Sequence, residues 1–87
     1  MSPAQARLAV RACLQAVRPE FEIDGIADDT PLLAERVITS FQVLDLIVHL
    51  EHVGGRPVVR EQLTPGSFRD IATIARVFLH STREPAS

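Results

Sequence analysis

Residues 37–51 read "VITSFQVLDLIVHLE", and how this run starts decides the fold. Thr39 followed by Gln42 has the T-x-x-Q spacing of a capping box, in which a hydroxyl and an amide side chain satisfy backbone groups at a helix start. Ile38 before the cap and Val43 at the fourth helical position can close as a hydrophobic staple. Leu44, Ile47, Val48 and Leu50 continue the apolar stripe and leave Gln42, Asp45, His49 and His52 outward. Gly54-Gly55 stops the helix. Thr39 does the capping, so Ser40 sits at the first helical position with an outward hydroxyl beside unpaired N–H groups and the positive end of the helix dipole. That is a favourable place for a phosphate, although hydroxyl residues at helix starts are also ordinary capping material.

Upstream, "SPAQARLAVRACLQAVRP" predicts another helix. Ser2 caps it, Pro3 takes the first helical position and Gln5 completes a capping box. Leu8, Val10, Cys13, Leu14 and Val17 mark its buried stripe. Arg7, Arg11 and Arg18 take the wet face, Arg18 near the negative end of the dipole, and Pro19 ends the helix. Residues 19–38 hold six acids against one arginine, with an internal Gly and Pro. Long structureless connections are rare in small domains and tend to be functional. Phe21, Ile23, Ile26, Leu32, Leu33 and Val37 are too many apolar groups to leave in water, so the connection is expected to pin itself to the core. Asp29 or Thr30 before Pro31 is a place for a short helical turn to start.

Downstream, "RPVVREQLTPGSF" is a connection with one short helical turn around residues 60–64. "SFRDIATIARVFLH" is the last helix, opened by the pair Ser67 and Asp70. Its apolar stripe is Phe68, Ile71, Ile74, Ala75, Phe78 and Leu79. Residues 81–87 read as a frayed tail. No strand alternation or repeat occurs, so the fold class is all-α: a small bundle of three main helices, one short helical turn and a long loop between the first two helices. Residues 1–87 form a single domain with a core over about 3–80.

Composition narrows function. Eighty-seven residues with 46% hydrophobic content make one small core. A net charge of −2 lacks the basic stripe of a nucleic-acid surface, and acids are interleaved among Arg69, Arg76 and Arg83. One cysteine closes no intramolecular disulfide, no apolar run approaches the roughly 18 residues of a membrane span, and the N-terminus lacks a signal-peptide shape. These point to a cytoplasmic, monomeric protein.

Catalytic constellations fail on geometry. His49 and His52 lie on the same helix as Ser40, about 13 Å or more away by helical rise, beyond the hydrogen-bond reach that a nucleophile and its base need. The two histidines have no third and fourth metal ligand nearby, "DGIADD" lacks the spacing of an EF-hand loop, and Cys13 reads as a small buried apolar residue. No catalytic or metal residues are assigned, and the chain is not expected to be an enzyme.

The order of the remaining words is informative. "DDTPLLAERVITSFQVLDLIVHLE" followed by "EQLTPGSFRDIATIARVF" resembles the acyl carrier protein and peptidyl carrier protein family. There a long loop leads to "D-S-L" or "D-S-F" and "LIVxLE" on the second helix, and an "LTPxxFxS/DIxxIA" stretch follows. The resemblance spans about residues 5–80. It implies that Ser40 receives 4′-phosphopantetheine from coenzyme A through a Mg²⁺-dependent phosphopantetheinyl transferase. The implied function is a discrete acyl or aminoacyl carrier in polyketide, nonribosomal peptide or related biosynthesis. Its implied partners are an adenylate-forming ligase that loads it and an acyltransferase or synthase that unloads it.

The chain departs from the family pattern in three places. Thr39 stands where the family usually has Asp. Gly54 replaces the aromatic residue usual near the end of the second helix, leaving Val53 to pack there. That helix carries only Asp45 and Glu51 as acids, with apolar Phe41 just after the serine. Partner contacts are therefore expected at Thr39, Phe41, Val43, Asp45 and Glu51. The alternative is a carrier-like adaptor that binds partners non-covalently.

Overall fold

Ser2 opens the first helix, α1 (Pro3–Val17), as the sequence predicts: its hydroxyl accepts from Gln5 N at 3.1 Å and the Gln5 side chain accepts from Ser2 N at 2.9 Å. The structure, a computed structural model, describes residues 2–55, 57, 58, 61 and 63–79. The second helix, α2 (Ser40–Gly54), begins with the same reciprocal box, Thr39 with Gln42, and ends on Gly55 in the left-handed region at φ 74°. The third, α3 (Ile71–Ile74), continues as a π-helical turn, Ala75–Leu79. Together with 3₁₀ turns at Ile23–Gly25 and Pro65–Phe68, these make an all-α bundle; no strand occurs among the described residues.

The core is a single cluster drawn from every segment. Val10, Cys13 and Leu14 come from α1, Ile23, Leu32, Val37 and Ile38 from the loop, Leu46 and Leu50 from α2, and Phe68, Ile71, Ile74, Phe78 and Leu79 from the C-terminal part. Phe68 and Phe78 stack in a tilted pair with ring centroids 5.0 Å apart, a favoured aromatic geometry. The whole apolar stripe predicted for the last helix is buried. In α1 the stripe holds except at Leu8, which is 66% exposed, while Ala6 is buried in its place. A lone surface leucine carries little penalty.

The loop between α1 and α2 is pinned as expected, with Ile23, Leu32 and Val37 buried and Phe21 and Ile26 packed against the core. A 3₁₀ turn not foreseen in the sequence forms at Ile23–Gly25, and the turn expected to start at Asp29 or Thr30 before Pro31 forms as well. Thr30 Oγ1 accepts from Ala27 N, and just beyond it Glu35 N donates to Pro31 O, closing a single helical turn. Asp28 is the junction of the loop. Its carboxylate takes Arg7 Nε at 3.1 Å and Arg11 Nη2 at 2.7 Å, and its carbonyl accepts from Ala72 N at the start of α3. Arg7 and Arg11 are thus partly covered and paired, not simply solvated.

The last helix starts later than its sequence suggests. Asp70 alone caps α3, accepting from Thr73 N at 2.7 Å. Ser67 is held by the Thr64 hydroxyl at 2.9 Å within the preceding turn, and extended backbone at Asp70 separates that turn from α3. Of the turn predicted around residues 60–64 only 61, 63 and 64 are described, and the tail 81–87 lies outside the described residues.

Candidate functional site at the start of α2

Local capping and the core together place Ser40. Thr39 Oγ1 accepts from Gln42 N at 3.3 Å, and Gln42 Oε1 accepts from Thr39 N at 3.0 Å. Both capping functions are therefore met by neighbours, and the exposed Ser40 hydroxyl makes no hydrogen bond among the described residues. Ile38, buried before the cap, and Val43, packed against the core after it, form the expected staple. They anchor the first turn while Ser40 faces out.

Beside Ser40 runs a groove of about 370 Å³, within the range of small-ligand sites, about 300–1,000 Å³. Its walls are Val43, Leu44 and Ile47 of α2, Leu33 of the loop, and Leu63 and Phe68 of the C-terminal part; Ser40 and Thr64 supply its polar rim. Only Phe68 of these walls is fully buried, so the groove is open along its length. A chain attached to the Ser40 hydroxyl could lie in it without disturbing the core.

The outer face of α2 differs from expectation. Leu44 and Val48 are 62% and 59% exposed, and Leu46, absent from the predicted stripe, is fully buried. Phe41 is 84% exposed. Phe41, Leu44 and Val48 follow at i, i+3 and i+7 and so share one face. Of the polar face expected at Gln42, Asp45, His49 and His52, only Asp45 and His52 are exposed while Gln42 and His49 are half-buried, so the wet side is rotated toward Phe41, Leu44 and Val48. The helical spacing of these three residues from Phe41 is the one signal that could have separated them from Leu46 and Leu50.

The predicted contact residues divide accordingly. Thr39, Phe41 and Asp45 are exposed and lie within two turns of Ser40, whereas Val43 is half-buried. Glu51 is committed elsewhere, its carboxylate accepting from Val58 N at 2.9 Å. Val53 does not fill the place expected of it: it is 43% exposed, and Gly54 lies against the π-helical turn, where an added Cβ would sit 3.4 Å from Leu79 Cδ2. His49 is half-buried and His52 exposed. Among the described residues no three His, Cys, Asp or Glu side chains are grouped to hold a metal ion. Burial raises the Cys13 thiol above its ordinary pKa, which keeps it neutral and poorly nucleophilic. No described helix is long and apolar enough to cross a membrane. No protein-family model matches the chain, nor does any curated protein or solved structure.

Proposed function

We propose that the chain is a discrete carrier whose Ser40 takes a 4′-phosphopantetheine arm, so that it serves as a substrate of partner enzymes and not as a catalyst. The observation that carries this reading is the Ser40 hydroxyl: exposed, released from capping by Thr39 and Gln42, and opening onto an apolar groove. The resemblance of the surrounding words to acyl and peptidyl carriers supplies the chemistry. When bound, the arm supplies a terminal thiol that holds cargo as a thioester.

In the loading step, Ser40 Oγ forms a bond to the coenzyme A phosphorus that bears the pantetheine. The pyrophosphate P–O bond breaks, adenosine 3′,5′-bisphosphate leaves with the electron pair, and the serine proton passes to a base on the transferase. The start of α2 favours the resulting phosphodiester through its unpaired N–H groups and dipole. Thr39 and Gln42 keep that end wound, and Phe41, Leu44 and Asp45 offer the transferase, ligase and synthase a mainly apolar contact. The groove suits an apolar acyl cargo better than an aminoacyl one, because burying an ammonium without a partner is costly.

Incubation with coenzyme A, Mg²⁺ and a broad-specificity transferase is expected to add one phosphopantetheine by intact mass. Ser40→Ala is expected to abolish the addition with its helical circular dichroism unchanged. Wild-type protein that stays unmodified across several transferases would sink the carrier reading. Thr39 in place of Asp, together with the exposed Phe41–Leu44–Val48 face, favours the adaptor as second reading; partner capture unaffected by Ser40→Ala would select it.

A further inference from the structure

Arg36, four residues before Ser40, is the one non-glycine residue with positive φ among those described, at 60°. A side chain in this left-handed region costs free energy and persists only where surrounding structure holds it. Within the loop, Arg36 N donates to Leu33 O at 3.2 Å and Val37 N to Leu32 O at 2.9 Å. From outside the loop comes Arg18, the C-cap of α1. Its Nη1 lies 2.7 Å from Val37 O and 3.4 Å from Arg36 O, so one guanidinium addresses the carbonyl of the left-handed residue and the one after it.

Arg18 is itself held in place. Its Nε lies 2.7 Å from a Glu20 carboxylate oxygen, and its guanidinium carbon lies 5.3 Å from the centroid of the Phe21 ring. A planar guanidinium fixed on two sides is a pre-organised fork, suited to presenting its remaining N–H groups in one direction. The sequence predicts only a solvated arginine near the end of a helix; the fold turns it across the loop.

We propose that Arg18 is a positioning residue for Ser40. It braces the left-handed turn at Arg36 and thereby sets where the first turn of α2 presents the Ser40 hydroxyl. Without the brace, the backbone at residue 36 relaxes toward the ordinary φ region. Leu46 and Leu50 hold the body of α2 and the Val37 and Ile38 side chains are themselves in the core, so the shift is a small one, taken up by the backbone between Arg36 and the first turn of α2. Group transfer is sensitive to such shifts, and misplacement by about 1 Å can cost on the order of a hundredfold in rate. The inference rests on the carrier reading of Ser40.

The test is steady-state loading of the full chain with coenzyme A, Mg²⁺ and a transferase that accepts the wild type. Arg18→Gln is expected to lower kcat about tenfold with KM within about twofold. Arg18→Lys retains a cationic donor and is expected to recover most of the rate. The double variant Arg18→Gln with Arg36→Gly is expected to recover it as well, because glycine adopts the left-handed turn without a brace. Glu22→Gln, exposed on the same loop and in no ion pair among the described residues, is expected to load like the wild type.

Wild-type kinetics in Arg18→Gln, a deficit that Arg36→Gly does not relieve, or an equal deficit in Glu22→Gln would each overturn the role of Arg18 while leaving Ser40 as the acceptor. Failure of the wild type with every transferase overturns the carrier reading and this role with it. Should Arg18→Gln lose its helical signal, the comparison passes to the double variant: restored folding and loading support the brace, and persistent unfolding overturns it.

Discussion

α1 and α2 are built alike at the start and used differently afterwards. Each has 15 residues and opens on a reciprocal Ser/Thr–Gln capping box. α1 buries Ala6, Val10, Cys13 and Leu14 and ties its charged side chains down, with Arg7 and Arg11 on Asp28 and Arg18 on Glu20 and the Val37 carbonyl. α2 buries Leu46 and Leu50 but leaves Phe41, Leu44 and Val48 in water. Three large apolar side chains on one face are hard to account for by stability alone, since burying each would be worth roughly 1.5–3 kcal/mol. α1 is framework on both counts; α2 keeps one face as framework and leaves the other exposed.

The sharpest way to break that contrast is truncation of a leucine on each helix. Leu14→Ala removes a fully buried side chain from α1 and is expected to cost about 2–5 kcal/mol by urea unfolding. Leu44→Ala on α2 is expected to change stability by less than about 0.5 kcal/mol while weakening partner binding. A comparable stability loss at both positions would show that the exposed face of α2 is not free.

Charge neutralisation tests the same contrast on a smaller scale. Asp28 joins α1 to the loop through two arginines, with Arg11 mostly covered. Asp28→Asn is expected to cost about 1 kcal/mol, and less at high salt, because the pairs are only partly shielded from water. Asp45 on α2 is exposed and makes no ion pair among the described residues. Asp45→Asn is therefore expected to leave the unfolding midpoint unchanged.

What could be read from the sequence follows the range of the interaction responsible. Both capping boxes were legible because donor and acceptor lie three residues apart, so Ser2–Gln5 and Thr39–Gln42 needed no tertiary information. The last helix was read as opening on the pair Ser67 and Asp70, whereas Asp70 itself caps it through Thr73 N and Ser67 meets Thr64; each of these pairs is three residues apart, so spacing alone does not choose among them. The phase of α2 was illegible for a different reason. Gln42, Asp45, His49 and His52 mark a wet side, but Gln42 and His49 are half-buried and the exposed face is turned toward Phe41, Leu44 and Val48, a rotation set by packing that the sequence does not encode. The hydroxyl of Ser40 was visible from its place beside a better cap, but the groove beside it joins residues 33, 40–47 and 63–68 and exists only once the chain has folded.

The smallest effect concerns the end of α1. Glu20 is held below its ordinary carboxylate pKa, first by its own backbone N–H and then by the Arg18 guanidinium. A carboxyl whose folded pKa is depressed stabilises the fold above its unfolded pKa, and that contribution fades as pH falls through the folded value. Glu20 is exposed, so the effect on unfolding is expected to be slight and confined to acid below the usual glutamate range. A carbon-detected NMR titration is the more sensitive measurement. In Arg18→Gln the Glu20 pKa is expected to rise only part of the way to the ordinary value, because the first cause remains when the guanidinium is gone. A full return would mean that Arg18 also orders the turn in which the Glu20 backbone N–H meets its own carboxylate, extending its brace from the start of α2 back to the end of α1.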